Sequence, residues 1–203
     1  MLMALTYAWK ITVSTSKNYH HGDLRAAAIE AGLKLLEDRT ADDLGLREVA
    51  RAVGVSATAL YRHFPDKAAL LRALAAEGFK QLADAQREAA QAAGGGEAGF
   101  GATGRAYVRF ALDHPALFRL LFSAASPVGD PFHRRPEEMP EAFRMLWDNA
   151  ARHAPPGAGP DAAPLIALEA WALVHGLAVL ILDGQIPRND ALIDAILSKK
   201  PVA

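Results

Sequence analysis

Apolar positions recur at intervals of three and four along most of the chain, and nowhere do apolar and polar residues alternate for long enough to suggest a sheet strand. Leu24, Ala28, Ala31 and Leu35 share one face of a helix predicted over 23–38. Asp23 is its cap or first-turn acid, where free amides and the helix dipole favour a carboxylate. A second helix carries Leu46, Val49, Ala50 and Val53 and stops at Gly54. Ser56 can cap a third, very short one that ends near His63. Pro65 and Asp66 open a fourth helix that continues through Leu70, Leu71, Leu74, Phe79 and Leu82 to about Ala93, and the glycine-rich run 94–99 breaks it. Helical patterns return over 100–113, 115–124, 138–153, 162–183 and 189–199, with Pro/Gly loops at 126–136 and 155–160.

Composition narrows the class. The 203 residues, 51% of them hydrophobic, can build one or two domains with a sizeable core. No uninterrupted apolar run approaches the roughly 18 residues of a membrane span, so a membrane protein is set aside. The apolar opening segment lacks the positive start and cleavage site of a secretory signal, and 1–16 reads as a disordered extension. There is no cysteine, which excludes disulfides and thiolate metal sites and accords with a cytoplasmic setting. Net charge is −1, and 17–80 holds ten Lys/Arg against nine Asp/Glu, so bulk charge gives no sign of nucleic-acid binding.

Position gives what charge does not. Segment 46–63 has the spacing of two short crossing helices: Ala50 is small where the pair must approach, Gly54 can take the left-handed turn, and Val53, Val55 and Leu60 hold the angle. The opposite face is then free to enter a major groove. Ser56, Thr58, Tyr61, Arg62 and His63 offer hydroxyl, guanidinium and imidazole groups to phosphates or base edges, and Ala57 is small enough for a thymine methyl. Lys67, in the first turn of the next helix, can share a phosphate with the backbone amides. Arg47, near a helix start, can touch the DNA backbone, although a solvated surface role is the commoner one for such an arginine.

Residues 53–70, Val-Gly-Val-Ser-Ala-Thr-Ala-Leu-Tyr-Arg-His-Phe-Pro-Asp-Lys-Ala-Ala-Leu, resemble the DNA-binding signature of the TetR family of repressors, and the likeness covers about 20–72. The resemblance implies that 57–63 form the recognition helix and that Tyr61, His63 and Lys67 grip the DNA backbone. Two positions depart from the pattern: Thr40 stands where glycine is common, and Gly45 where Ser or Thr often caps the second helix. A glycine cap costs only a few tenths of a kcal/mol, so the helix stays in place while one hydroxyl contact to phosphate is lost.

In the C-terminal half Tyr107, Phe110, Phe118 and Phe122 fall on neighbouring helical faces, with Trp147 and Trp171 added from elsewhere. Such a set serves equally as core or as the lining of a ligand pocket. Trp171 and His175 lie four apart on one helix face, and Gly176 permits a close helix approach. Segment 171–176, with 113–122 before it, is similar to the Trp/His/Gly-type C-terminal domain of one TetR branch. His175 fits a ligand contact, a core donor or a dimer face. Leu165, Leu168, Leu173, Leu177, Leu180, Leu192, Ile193 and Ile196 pack within the monomer or, as the resemblance implies, build a four-helix dimer interface.

The expected fold is all-α: a helix-turn-helix DNA-binding domain at 17–66, a connecting helix at 67–93, and an effector-binding and dimerisation domain at 94–203. The expected protein is a ligand-responsive transcriptional regulator, most simply a homodimeric repressor that leaves double-stranded operator DNA when a small-molecule effector binds. Control by a protein partner is the alternative. An enzyme is the more distant one, since no nucleophile elbow, phosphate loop or His-Glu-x-x-His helix occurs. His20 and His21 lack further ligands at metal spacing, so neither a metal nor a cofactor is expected.

Overall fold

A computed structural model describes residues 21–123, 138–157 and 159–198, and the side chains from Leu24 onward. The expectations for 1–16, for His20 and for the loop at 126–136 lie outside the described residues. Within them the chain forms nine α-helices and no strand: α1 (His21–Leu35), α2 (Leu46–Ala52), α3 (Ala57–Tyr61), α4 (Lys67–Ala92), α5 (Gly96–Asp113), α6 (Pro115–Leu121), α7 (Glu141–His153), α8 (Ala162–Leu182) and α9 (Asp190–Leu197).

The boundaries follow from local chemistry. The helix α1 starts two residues earlier than its apolar pattern suggests, so Asp23 falls inside the first turn. Its last turn tightens through Leu36 N–H donating to Gly32 and Leu33 carbonyls at 3.1 Å, which ends the helix three residues before the expected 38. At the end of α2, Gly54 adopts φ +73°. Its N–H donates to Arg51 O at 3.2 Å and that of Val55 to Ala50 O at 2.9 Å, the paired bonds of a Schellman turn. Ser56 caps α3 by accepting from Ala59 N–H at 3.2 Å, and Asp66 caps α4 by accepting from Ala69 N–H at 2.6 Å.

The glycine run forms a tight corner. Gly94, Gly95 and Gly96 all take positive φ, and α5 starts within the run at Gly96 and turns back against α4. Gly99 lets it pack closely: a Cβ there would stand 3.3 Å from the Ala90 carbonyl oxygen. The helix α4 belongs to both ends of the molecule. Leu70 and Leu74 pack into the α1–α3 bundle with Ala28, Val49, Leu60 and Phe64, while Phe79, Leu82 and Ala83 continue the same core toward Phe118 and Phe143. One contiguous core therefore runs from α1 to α8.

One helix bears on the sequence reading that no membrane span is present. The helix α8 has 21 residues, a mean hydropathy of 2.2 over its best window and only 28% of that window buried, so by length and composition it could cross a membrane. Glu169 and His175 interrupt its apolar run without lowering its mean enough to disqualify it. Its buried face, through Ala167, Ala178 and Ile181, packs on α5 and α7, which is the behaviour of a core helix with one uncovered side.

Candidate functional site

Two features of the surface invite ligands, one at each end of α4. At the first, Leu60 is fully buried and Phe64 is 1% exposed, and these two anchors fix the segment between them. His63 N–H and Phe64 N–H both donate to Leu60 O, at 2.9 and 3.0 Å, so α3 itself ends at Tyr61 and residues 62–63 continue it as a turn. Arg25 lies over the Phe64 ring at 5.5 Å, covering the anchor from α1. With the inward side occupied, Ser56, Thr58, Tyr61 and Arg62 are exposed, and Ala57 and His63 half-buried. The small, hydroxyl and cationic side chains form one outward surface on α3 and the turn after it. Val53 and Val55, expected to be inside, are only half-buried; Leu46, Val49, Ala50 and Leu60 close the angle between α2 and α3.

The flanks of this surface are held by other elements. Lys67 donates from Nζ to the Asp42 carbonyl at 2.5 Å, which positions its ammonium beside the loop before α2. Gly45 caps α2 with extended backbone, without a side-chain bond, and open space surrounds the place of a Cβ. Arg47 is exposed one residue into α2. Arg39 pairs with Glu48, a contact between the α1–α2 loop and α2 that the sequence does not announce.

At the other end, α4, α5, α7, α8 and α9 line a half-open cavity of about 1420 Å³. Its wall is largely apolar and aromatic, with Phe100, Tyr107, Phe122, Phe143 and Trp171, and its polar groups include Gln86, Glu97, Arg105 and Glu169. The rings interlock: Phe143 meets Trp171 edge-on at 5.1 Å, and Tyr107 meets Phe118 edge-on at 5.6 Å. The aromatic residues read from sequence therefore separate. Tyr107, Phe122 and Trp171 line the cavity; Phe118 and His175 stand behind them; Phe110 is buried beside His114; and the half-buried Trp147 is not on the wall. Phe100 and Phe143, which sequence reasoning passed over, replace them.

A polar relay crosses this aromatic cluster. Trp171 Nε1–H donates to the Tyr107 hydroxyl oxygen at 3.3 Å, and the same hydroxyl is hydrogen-bonded to His175 Nδ1 at 2.9 Å. Burial pushes the Tyr107 hydroxyl well above the usual phenol range and pulls His175 below its ordinary value. Both shifts favour the neutral forms, and which of the two groups donates follows from the tautomer of His175.

Gln86 is different. It is 8% exposed, its Nε2 reaches only the Thr103 carbonyl at 3.5 Å, and its Oε1 has no partner. An unpaired buried acceptor costs on the order of 1–3 kcal/mol. Its position was legible, since Leu82 and Gln86 lie four apart on the buried face of α4 and the amide interrupts an otherwise apolar line.

Comparison with known proteins places both ends of the molecule. Residues 28–74 match the family model described as bacterial regulatory proteins, tetR family, and 100–199 match the tetracyclin repressor-like C-terminal domain. The chain belongs to the TetR family. It is a DNA-binding transcriptional regulator, and its helix-turn-helix is the α2–α3 pair. Among solved structures, a protein of unknown function from Rhodococcus sp. RHA1 is 32% identical with a TM-score of 0.69, over 90% of this chain and 94% of that one. A chain described as a possible TetR family transcriptional regulator from Streptomyces coelicolor A3(2) is 25% identical with a TM-score of 0.59, over 80% and 73%. A transcriptional regulator from Pseudomonas aeruginosa PAO1 shares the fold at 19% identity, with a TM-score of 0.64 over 89% of both chains. No curated protein matches the chain.

Proposed function

We propose that this TetR-family chain is a homodimeric repressor that a small-molecule effector releases from double-stranded operator DNA. In this reading 17–66 bind DNA, 67–93 connect, and 94–203 hold the effector and the dimer interface. Gly45, Arg47, Ser56, Ala57, Thr58, Tyr61, Arg62, His63 and Lys67 form the DNA surface, with Tyr61, His63 and Lys67 on phosphates and Ala57, Thr58 and Arg62 toward the bases. The observation that carries the reading is the single helix α4, with Lys67 at its first residue and Leu82 and Gln86 on the cavity wall. From Lys67 to Gln86 the helix is unbroken and spans about 28 Å, so a tilt of α4 driven at the cavity moves the DNA surface as one body. The effector acts only through its different affinity for the two tilts.

The uncovered side of α8 supports the dimer. Leu165, Leu168 and Leu180 are 41–57% exposed and lie on the uncovered side with Gly176, above whose Cα there is open space. A second copy related by a two-fold axis covers this side with its own and sets two α3 helices against two operator half-sites.

The test begins with native mass spectrometry of the purified protein, which gives its mass and any small molecule it retains. Operator affinity is then measured, with and without that molecule, on a duplex selected from random sequence. The expected result is a dimer whose operator affinity falls by tenfold or more with the molecule bound. A liganded dimer with unchanged operator affinity contradicts release by an effector and moves control to a protein partner.

A further inference from the structure

We propose that the α4–α9 cavity receives an elongated, mostly apolar compound with one polar end, a ring that carries a chain, and that the bare helix surface at Gly101 and Gly104 is the bed on which its chain lies. The proposal rests on reading the cavity as the effector site and specifies what fits it. Both glycines stand inside α5, where glycine destabilises a helix relative to alanine. The packing on Ala90 explains Gly99, but nothing comparable explains Gly101. A Cβ there would meet only the Arg105 guanidinium, at 3.6 Å, the tip of a long side chain on the same helix. At Gly104 a Cβ would stand 3.3 Å from Val174 and 3.9 Å from Leu197. The two positions are three apart on one helix face, and both are on the cavity wall. What their missing side chains leave is room in the cavity.

The wall beside this bed has two characters. Phe122 and Phe143 both meet Trp171, at 6.1 and 5.1 Å between ring centroids, and form a sector against which a planar ring packs. Val174 and Leu197, which flank Gly104, are aliphatic, as is Ile196 before Leu197, and a chain buries its methylenes there. The volume of about 1420 Å³ exceeds the roughly 300–1,000 Å³ of ordinary small-molecule sites, so a single ring leaves most of it unfilled. Polar wall groups divide by burial. Glu97, His153, Glu169 and Ser198 are exposed and Arg105 is half-buried, so these keep water at the open side. Of the buried ones, the Thr103 hydroxyl donates to the Phe100 carbonyl at 2.7 Å, and the Tyr107 hydroxyl is bonded to both His175 and Trp171. Gln86, 8% exposed, keeps an Oε1 without a partner among the described residues. Its Nε2 faces the Thr103 carbonyl, one residue before Gly104, so the polar anchor and the bed adjoin along α5. A single hydroxyl on the ligand satisfies that anchor.

Tryptophan fluorescence of the full-length protein, titrated with 4-ethylphenol, 4-butylphenol and 4-hexylphenol, tests this, since Trp171 is on the wall. The three compounds share the polar end and differ in the chain alone. The expected result is that the dissociation constant falls about tenfold for each two methylenes added. In Gly101→Leu, and in Gly101→Met should the leucine variant not fold, a side chain occupies the bed and the gain with chain length should disappear, whereas Gly101→Ala should keep most of it. In Gln86→Met all three compounds should weaken by about tenfold while the gain with chain length stays. The proposal is overturned if wild type shows no gain with chain length, if the gain survives in Gly101→Leu or Gly101→Met, if Gln86→Met binds all three as wild type does, or if none of them binds. Operator release is read separately with the same compounds. Binding that depends on chain length without release leaves the cavity chemistry standing and contradicts the effector reading, and release indifferent to chain length does the reverse.

Discussion

His175 shows how a single residue ties stability to pH in this molecule. Burial lowers its pKa below the ordinary 6.5, so between that lower value and 6.5 the unfolded chain binds a proton that the folded chain does not. Stability therefore rises with pH through that window, is complete above it, and is lost as pH falls from 6.5 toward the folded value. The thermal midpoint should drop on acidification from about pH 7.5 to about pH 5.5, and His175→Gln should drop less, because glutamine does not titrate. An equal drop in both proteins, followed by circular dichroism, would show that the Tyr107–His175 bond is not where the protonation acts. Residues of this kind are the hardest to read from sequence. The four-residue spacing of Trp171 and His175 places both on one side of α8, yet the partner of His175 is Tyr107, 68 positions away. By contrast Ser56, Asp66 and Gly54 act on neighbours within five residues, and local chemistry was enough to assign them.

At the scale of elements, periodicity located every described helix, and the differences lie where helices meet. The glycines at 94–96 announce a break in the helix but not its angle; only the packing of Gly99 on Ala90 shows why the chain turns back at once. The aromatic residues of α5, α6 and α7 share helical faces, but which of them reach the cavity depends on helix rotation that no single-helix pattern fixes. Trp147 and Phe143 lie one turn apart on α7, yet only Phe143 is on the wall. The uncovered side of α8 is the feature whose role is easiest to test. Leu168→Arg together with Leu180→Arg places charge on a surface that is 41% and 46% exposed in the single chain, so the fold should survive while the dimer does not. Sedimentation should show a monomer with native helicity; a persistent dimer would put the interface elsewhere.

Across the whole molecule, α4 joins a surface that is polar, exposed and rigidly anchored to a cavity that is aromatic and carries one unsatisfied amide. Bulk composition conceals this division, since a net charge of −1 averages a nearly neutral helix-turn-helix end with an acidic C-terminal half, and the placement of a few side chains matters more than their sum. The fold and the helix-turn-helix were legible because such a motif is short and local. The cavity was only partly so, because five helices from positions 67 to 197 build it.

The most direct test of the central claim is the affinity of a selected operator duplex, followed by fluorescence anisotropy across a salt series, for wild type and for the combined Tyr61→Phe, His63→Ala, Lys67→Ala variant. If α3 and its flanks grip the DNA backbone, the variant loses at least tenfold in affinity, and its log affinity falls less steeply with log salt, by about one unit per phosphate-bound cation removed. An unchanged affinity and an unchanged salt slope, in a variant with native helicity, would contradict the assignment of this surface to DNA.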